Sequence, residues 1–486
     1  MKELTKSTPS GPVLRNYKST STNTGEVRRH PRGMVELLAE LNCVSGGWPR
    51  YCGGELFVRR GEADIRVLRR PAGLFAWMRE IFTGGVWWRS GPGYVSEAEF
   101  YEGVYNSAKR YISVELSPHY PPMKDVCYLT QPINPVETGF LERLLGYFAP
   151  ASPHDALLIR SLFLTAFWGT PSCSKPMFMI SSDDGQGSGK SILARAVAKL
   201  AGAGDGAHYG GVEVDRGEGI EQIKQRLLSP ESVTKRVVII DNIRDNRINW
   251  SSLEALITSP VISGKKMYVG ESQRHNTFLW ILTLNGPGAS SDLAQRSILI
   301  KVQKSEYAAG RVEELYEFIQ EHRREILGDI GYCLSQPPFE VPVRYSRWAT
   351  WEREILGRVG STHELRQKIT TRQESIDYDR EEAEIITERV EMEMRRWGVW
   401  GRVVRVKRGT IIRLCQEATG LRMPNSSWGL HIKALRDKGL IPQLDFAPRD
   451  SAYRYYIWRG GGGDSKQGKG EGEIVGFPGD VAEELG

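Results

Sequence analysis

A lysine and a serine at positions 190 and 191, a carboxylate at 241, an asparagine at 285 and an arginine at 296 are residue types that together could bind and cleave a phosphoanhydride. The first pair follows a short apolar run, Met177 to Ile180, which leads through Gly185-Gln186-Gly187-Ser188-Gly189 into Lys190-Ser191. An amphipathic pattern follows, with Ile192, Leu193, Ala196, Val197 and Leu200 on one helical face. Strand, glycine-rich loop and helix in that order make a phosphate-binding P-loop, because the backbone N–H groups of loop and helix N-terminus converge on an anion. Lys190 would place a point charge on the β- and γ-phosphates, and the Ser191 hydroxyl would hold Mg²⁺, so ATP and Mg²⁺ are the expected cofactors. The glycine usually found five residues before Gly189 is Asp184 here; Gly185 and Gly187 keep the loop flexible, which makes this a variant P-loop.

Val237-Val238-Ile239-Ile240-Asp241 is a buried-strand pattern ending in a carboxylate, 51 residues after Lys190. At the carboxyl end of a strand beside the P-loop strand, Asp241 can hold Mg²⁺ through water while Ser191 holds it directly. Asn242 follows; an amide can orient a water or a phosphate but cannot take a proton, so hydrolysis is expected to be slow or to use another base. Phe278-Leu279-Trp280-Ile281-Leu282-Thr283-Leu284-Asn285 repeats the design, one polar side chain delivered at the end of an apolar strand. Asn285 would hydrogen-bond the γ-phosphate or the lytic water. Arg296, just before a further apolar strand, can protrude from a subunit edge into a neighbour's nucleotide site and stabilise transition-state charge there.

The elements that must position these groups form an α/β core over about residues 174–305. Its strand candidates are Met177–Ser181, Arg236–Asp241, Phe278–Asn285 and Ser297–Val302, with helices between. Continuous apolar strands alternating with helices mark a parallel sheet covered on both faces. Residues 1–33 read as a disordered leader. Residues 34–120 alternate short strands with a tryptophan-rich helix, and Ser117-Pro118-His119-Tyr120-Pro121-Pro122 reads as a boundary. Residues 121–173 form a helical collar, 306–394 a helical connector with a charged helix over Gly360–Met394, and 460–486 a linker-like tail without structure.

Net charge is +6, but Arg395 to Arg459 holds 14 Lys/Arg against 4 Asp/Glu, more than the whole excess. Charge concentrated in this way points to a polyanion, most often nucleic acid. Within residues 395–459, Thr410–Glu417 and Ser426–Leu435 read as helices and Ser451–Trp458 as an alternating strand. Helix, recognition helix and β-wing make a winged helix-turn-helix, with Lys433, Arg436 and Lys438 toward phosphate and Arg449 and Arg454 on the wing. Protein contacts are the other use of such a module. Six cysteines lie scattered without CxxC pairs, no stretch reaches the roughly 20 apolar residues of a membrane span, and no apolar signal segment opens the chain. A cytoplasmic protein without membrane partners is expected.

The succession GQGSGKS, VVIIDN, ISGKKMYVGE, LTLNG and DLAQRS resembles superfamily 3 helicases, and more closely the helicase part of phage and poxvirus-type primase–helicases among the AAA+ P-loop ATPases. The resemblance covers about residues 140–305. It implies a hexameric ring, ATP sites between subunits, sensor and finger roles for Asn285 and Arg296, and 3′-to-5′ translocation on single-stranded DNA. Asn242 stands where many ATPases carry the glutamate that polarises water. The family's DNA hairpin lies between the second and third motifs, where Lys265, Lys266 and His275 would project into the ring channel and track phosphates. Residues 1–140 show no DxD-type carboxylate pair, so primers would come from a separate primase or polymerase. The expected function is an ATP-dependent helicase or translocase for phage or mobile-element DNA replication. The rivals are an ATP-dependent switch, such as an initiator or loader with slow hydrolysis, and a regulatory DNA-binding protein whose P-loop domain only oligomerises.

Overall fold

The computed structural model of this 486-residue chain describes residues 11–21, 26–61, 63–171, 174–184, 187–203, 209–214, 218–243, 251–266, 270–284, 290–304, 310–340, 347–376, 378–400, 402–421, 423–446, 455–459 and 473–474. The chain divides into two compact units. The first comprises Met1–Arg244, Ser251–Gly286 and Ser297–Lys368; the second comprises Asp245–Trp250, Pro287–Arg296 and Ile369–Gly486.

The first unit opens with β1 (Val13–Arg15), β2 (Tyr17–Ser21) and β3 (Val27–Pro31), where a disordered leader was expected. Leu14 is fully buried, and the Asn16 amide donates to the carbonyls of Arg89 and Val95 while accepting from the Arg89 N–H. A single buried leucine and one satisfied asparagine fix this segment, and neither creates a periodic pattern in sequence. Then come α1 (Met34–Ser45), β4 (Arg50–Cys52), β5 (Glu55–Arg60), β6 (Asp64–Leu68), α2 (Pro71–Ile81), β7 (Gly85–Trp87), α3 (Glu97–Ser107) and β8 (Arg110–Tyr111). β1 pairs with β7, and β4, β5, β6 and β8 form one sheet in the order β6-β5-β4-β8. The Ser96–Glu99 capping box starts α3. Leu37, Leu41, Leu56, Leu68, Phe75 and Phe100 fill the core between helices and sheet.

β9 (Ser113–Glu115) and β10 (Val126–Tyr128) carry the chain past the expected boundary, and Glu115 forms a fully buried ion pair with Arg236 at 3.0 Å. Arg236 also donates to the Ser117 carbonyl and stacks on Phe167, so the N-terminal region shares one unit with the parallel sheet. Burying both charges is tolerable because each meets a partner.

After α4 (Phe140–Leu145) and α5 (Pro153–Phe167), which is buried on nearly every side, the sheet begins. Its strands are β11 (Met177–Ser181), β12 (Gly211–Val214), β13 (Val237–Ile243), β16 (Leu279–Leu284) and β17 (Ser297–Lys301). All are parallel, in the order β12-β13-β16-β11-β17. Every residue of β11 and β16 is buried, which is why both read as unbroken apolar runs. The interleaved helices are α6 (Lys190–Ala201), α7 (Ile220–Leu227) and α8 (Ser251–Thr258); between α8 and β16 lies a hairpin of β14 (Val261–Lys266) and β15 (Gly270–His275). β12 escaped the sequence reading because four residues, the first a glycine, are too few to show a period. The unit continues with α10 (Arg311–Glu321), α11 (Arg323–Ser335), α12 (Ala349–Trp351), a π-helical turn over Glu352–Leu356, α13 (Gly357–Val359) and the start of α14 (Thr362–Ile376).

The second unit holds α9 (Ser291–Gln295), the rest of α14 and α15 (Tyr378–Arg396), so the long charged helix is two. Its C-terminal part runs β18 (Val403–Lys407), α16 (Arg408–Thr419), α17 (Asn425–Asp437), β19 (Leu444–Phe446) and β20 (Tyr455–Arg459). β21 (Glu473–Ile474) pairs with β18 inside the tail expected to lack structure. Sheet order is β19-β20-β18-β21. Ile386, Val390, Ile411, Cys415, Trp428 and Trp458 share its core.

Among the described residues no helix is long and apolar enough to cross a membrane.

Candidate functional site

The end of β11 turns at Asp183 and Asp184, and the loop reaches α6 through Gly187 at φ +80° and Gly189 at φ +84°. Both dihedrals lie in the left-handed region that favours glycine. A Cβ on Gly187 would meet nothing within 4 Å, so backbone geometry rather than crowding requires glycine there. Asp184 has a clear role in place of the usual glycine: its carboxylate accepts the Lys304 N–H at 2.6 Å, and its own N–H donates to Ser182 Oγ. Asp183 holds the Lys301 ammonium at 2.9 and 3.0 Å, so the start of the loop is tied to the end of β17. Gly185 and Gln186 lie outside the described residues. Gly189 brings no side-chain cap to α6, and the N-terminus of a helix favours an anion.

Lys190 is buried, and its Nζ donates to Ser188 Oγ at 3.0 Å. Burial pulls its pKa down, and the negative charge of Asp241 pulls it back up. Ser191 Oγ donates to Asp241 Oδ1 at 2.6 Å. Thr283 Oγ1 donates to the same oxygen at 2.6 Å, and Arg195 Nη2 to Oδ2 at 3.1 Å. Arg195 in turn forks onto Glu213 at 3.1 Å from both Nε and Nη2, which raises its pKa, and Tyr209 donates to Glu213 at 3.0 Å.

Asp241 is thus fixed from three sides, at a register shift of the β13–β16 ladder between Ile240 and Ile243. The strand order corrects one expectation. β13 is not beside β11; β16 lies between them, and this is what brings Thr283 to Asp241. Strand order cannot be read from spacing, so Thr283 was missed, although it is the one polar break in an apolar run. Arg195 lies four residues beyond Ser191 and therefore on the same helix face, a signal the sequence did hold. Glu213 belongs to the overlooked β12.

The side chain of Asn242 and all of Asn285 lie outside the described residues. Arg296 caps α9 at φ −90°, ψ 0°, half-buried, and among the described residues its Nε has no hydrogen-bond partner.

The β14–β15 hairpin carries Lys265 and His275 exposed, with Lys265 opposite Glu271 in the ladder; the Lys266 side chain is outside the described residues. Arg274 anchors the hairpin's base. It donates to the carbonyls of Leu227, Ser232, Val233 and Lys235, and its guanidinium lies 4.3 Å from the Phe278 ring centre. Burial lowers its pKa, yet five donors meet four acceptors, so it serves as a structural clamp rather than a free cation.

On α17, Lys433 is exposed. Arg436 instead pairs with Asp445 at 3.0 Å and Lys438 with Asp379 at 2.7 Å, so these two cations are held by carboxylates of their own unit. Arg449 and Arg454 fall outside the described residues.

No family model and no curated protein matches the chain. Among solved structures, the C-terminal region of NrS-1 in its A apo form aligns over 89% of this chain and 100% of that one, at 11% identity and a TM-score of 0.47. The JCV helicase aligns over 49% of this chain and 65% of that one, at 15% identity and a TM-score of 0.25. The second is itself a helicase, in line with the sequence resemblance, but likenesses of this size carry no argument about what this chain does.

Proposed function

We propose that the chain is an ATP-dependent DNA helicase or translocase of the superfamily 3, AAA+ kind, serving replication of phage or mobile-element DNA. The observation that carries this reading is the meeting of Lys190, Ser191 and Asp241 at the mouth of the glycine loop, with Thr283 and Arg195 fixing the carboxylate. Ser191 and Asp241 are two hard oxygen donors already side by side, which is the donor chemistry that suits Mg²⁺. When bound there, the ion would neutralise charge on the β- and γ-phosphates. Lys190 binds the same phosphates as a point charge. Loop and α6 N–H groups take the remaining phosphate oxygens. Thr283 and Arg195 keep Asp241 from swinging away as substrate enters, and Asn285 and Asn242 orient the attacking water. Arg296 acts in trans across a ring of subunits, a hexamer by the family resemblance.

In this reading the exposed Lys265, with Lys266 and His275, tracks the phosphates of single-stranded DNA. The β18–α16–α17–β19–β20 module is a winged helix that anchors DNA chiefly through Lys433, with Arg449 and Arg454 on its wing. Arg436 and Lys438 are set aside for ion pairs. Residues 121–173 serve as the collar before the ATPase core, and a separate primase or polymerase supplies primers.

The test is Mg·ATP hydrolysis by the purified protein with and without single-stranded DNA, with Lys190→Ala as the blank. A motor shows turnover strongly stimulated by DNA and lost in the variant. The second reading, a nucleotide switch of the initiator or loader kind, is favoured by Asn242, whose amide cannot accept the water's proton; it predicts slow turnover indifferent to DNA. The shared site is tested by mixing Arg296→Ala with Lys190→Ala subunits. Full additivity of the two deficits would exclude it.

A further inference from the structure

A cleft of about 440 Å³ opens in the first unit between the β4–β5 turn with the edge strand β8 on one side and β15 of the hairpin on the other. Its first wall carries Tyr51 and Tyr111, and cations from outside the lining pack against both rings. The Arg110 guanidinium lies 4.3 Å from the Tyr51 ring centre, and Lys109 Nζ and the Arg50 guanidinium lie 5.2 and 5.4 Å from that of Tyr111. Both tyrosines are half-buried, and Lys109 and Arg110 are exposed. The rings are held in place: Tyr105 packs edge-on against Tyr51 at 5.1 Å, and Arg50 donates to the Tyr111 hydroxyl at 3.0 Å. The second wall is polar and belongs to the strand that carries His275, with Ser272 and Gln273 along it. Gly53 turns the chain at φ +59°, in the left-handed region that favours glycine; a Cβ there would make only an ordinary 4.0 Å contact with the Gln273 carbonyl. Of the two carboxylates of the cleft, Glu55 pairs with Arg69 at 2.7 Å, and Glu271 lies opposite Lys265 in the ladder.

Flat aromatic faces backed by cations, opposite a row of hydrogen-bonding groups, suit a nucleobase attached to a phosphate chain. Stacking accepts any base because every base has a π-face. A duplex keeps its bases inside the stack, so the occupant must be unpaired. We infer that this cleft receives a nucleobase of the single-stranded DNA whose phosphates run along the hairpin, an assignment that rests on the DNA-tracking reading of Lys265 and His275. The N-terminal region thereby contributes one wall of a base-holding site beside the hairpin.

The experiment is fluorescence polarisation of the full chain with a labelled oligothymidylate and with an abasic strand of equal length. Stacking of one base predicts about tenfold or more tighter binding of the oligothymidylate by the wild type. Tyr111→Leu, which keeps apolar bulk against the core, should bring the oligothymidylate down to abasic affinity. Lys265→Gln should weaken both strands alike. Should Tyr111→Leu fail to fold, photocrosslinking of a 5-iodouracil strand to the wild type decides, with crosslinks expected in residues 50–55 or 109–112. Equal affinity for the two strands, or crosslinks confined elsewhere, overturns the cleft while leaving the phosphate-tracking reading intact. If the wild type binds neither strand, that reading falls and the cleft assignment falls with it.

Discussion

The glycine-loop cradle and the basic C-terminal module both looked, in sequence, like places where positive charge meets phosphate, and the structure treats them differently. In the cradle the polar groups converge: Ser191, Thr283 and Arg195 all donate to Asp241, and the buried Lys190 donates to Ser188 at the same loop. In the C-terminal module two of the three described cations assigned to phosphate are consumed internally, Arg436 by Asp445 and Lys438 by Asp379, and Lys433 is the exposed one. Charge count measures a field around a domain, whereas a site needs groups left over after the fold has satisfied itself.

The largest expected effect tests the cradle. Lys190→Ala should lower steady-state ATP turnover by about 10²–10³ or more, the usual scale for removing one aligned electrostatic group; phosphate release reads it directly. Thr283→Val keeps shape but removes one donor to a charged oxygen, so turnover should drop about tenfold, with Thr283→Ser near wild type. If Thr283→Val were silent, Asp241 would not depend on its three-sided clamp and the contrast with the C-terminal module would weaken. The smallest effects test that module. Lys433→Gln should reduce the slope of log affinity against log salt by about 0.7–0.9, the share of one phosphate contact. Arg436→Gln should leave that slope alone and cost under about 1 kcal/mol of stability, as expected for a half-exposed pair. Equal slopes for the two variants would erase the distinction drawn between free and paired cations.

The four strands with unbroken apolar runs were legible because burial on both faces demands such runs, and β11, β13, β16 and β17 lie within a residue or two of the expected bounds. Glycines at 187 and 189 were legible because only positive φ closes that loop without strain. Three things were hidden for physical reasons. The order of strands is a long-range outcome, so the interposition of β16 and the role of Thr283 could not be read from spacing. β1 is held by its pairing with β7 and by the side chains of Leu14 and Asn16, too few buried positions for periodicity to register. The fate of Arg436 and Lys438 depends on carboxylates 9 and 59 residues away, beyond the three- and four-residue neighbours on a helix face.

The most direct measurement is calorimetric binding of ATP to wild type, Ser191→Ala and Asp241→Asn, each with and without Mg²⁺. The cradle account predicts that Mg²⁺ tightens ATP binding to the wild type, and that both variants keep the Mg²⁺-free affinity supplied by Lys190 and the loop N–H groups but lose the Mg²⁺ gain. An equal Mg²⁺ gain in all three proteins, or no ATP binding by the wild type, would contradict it.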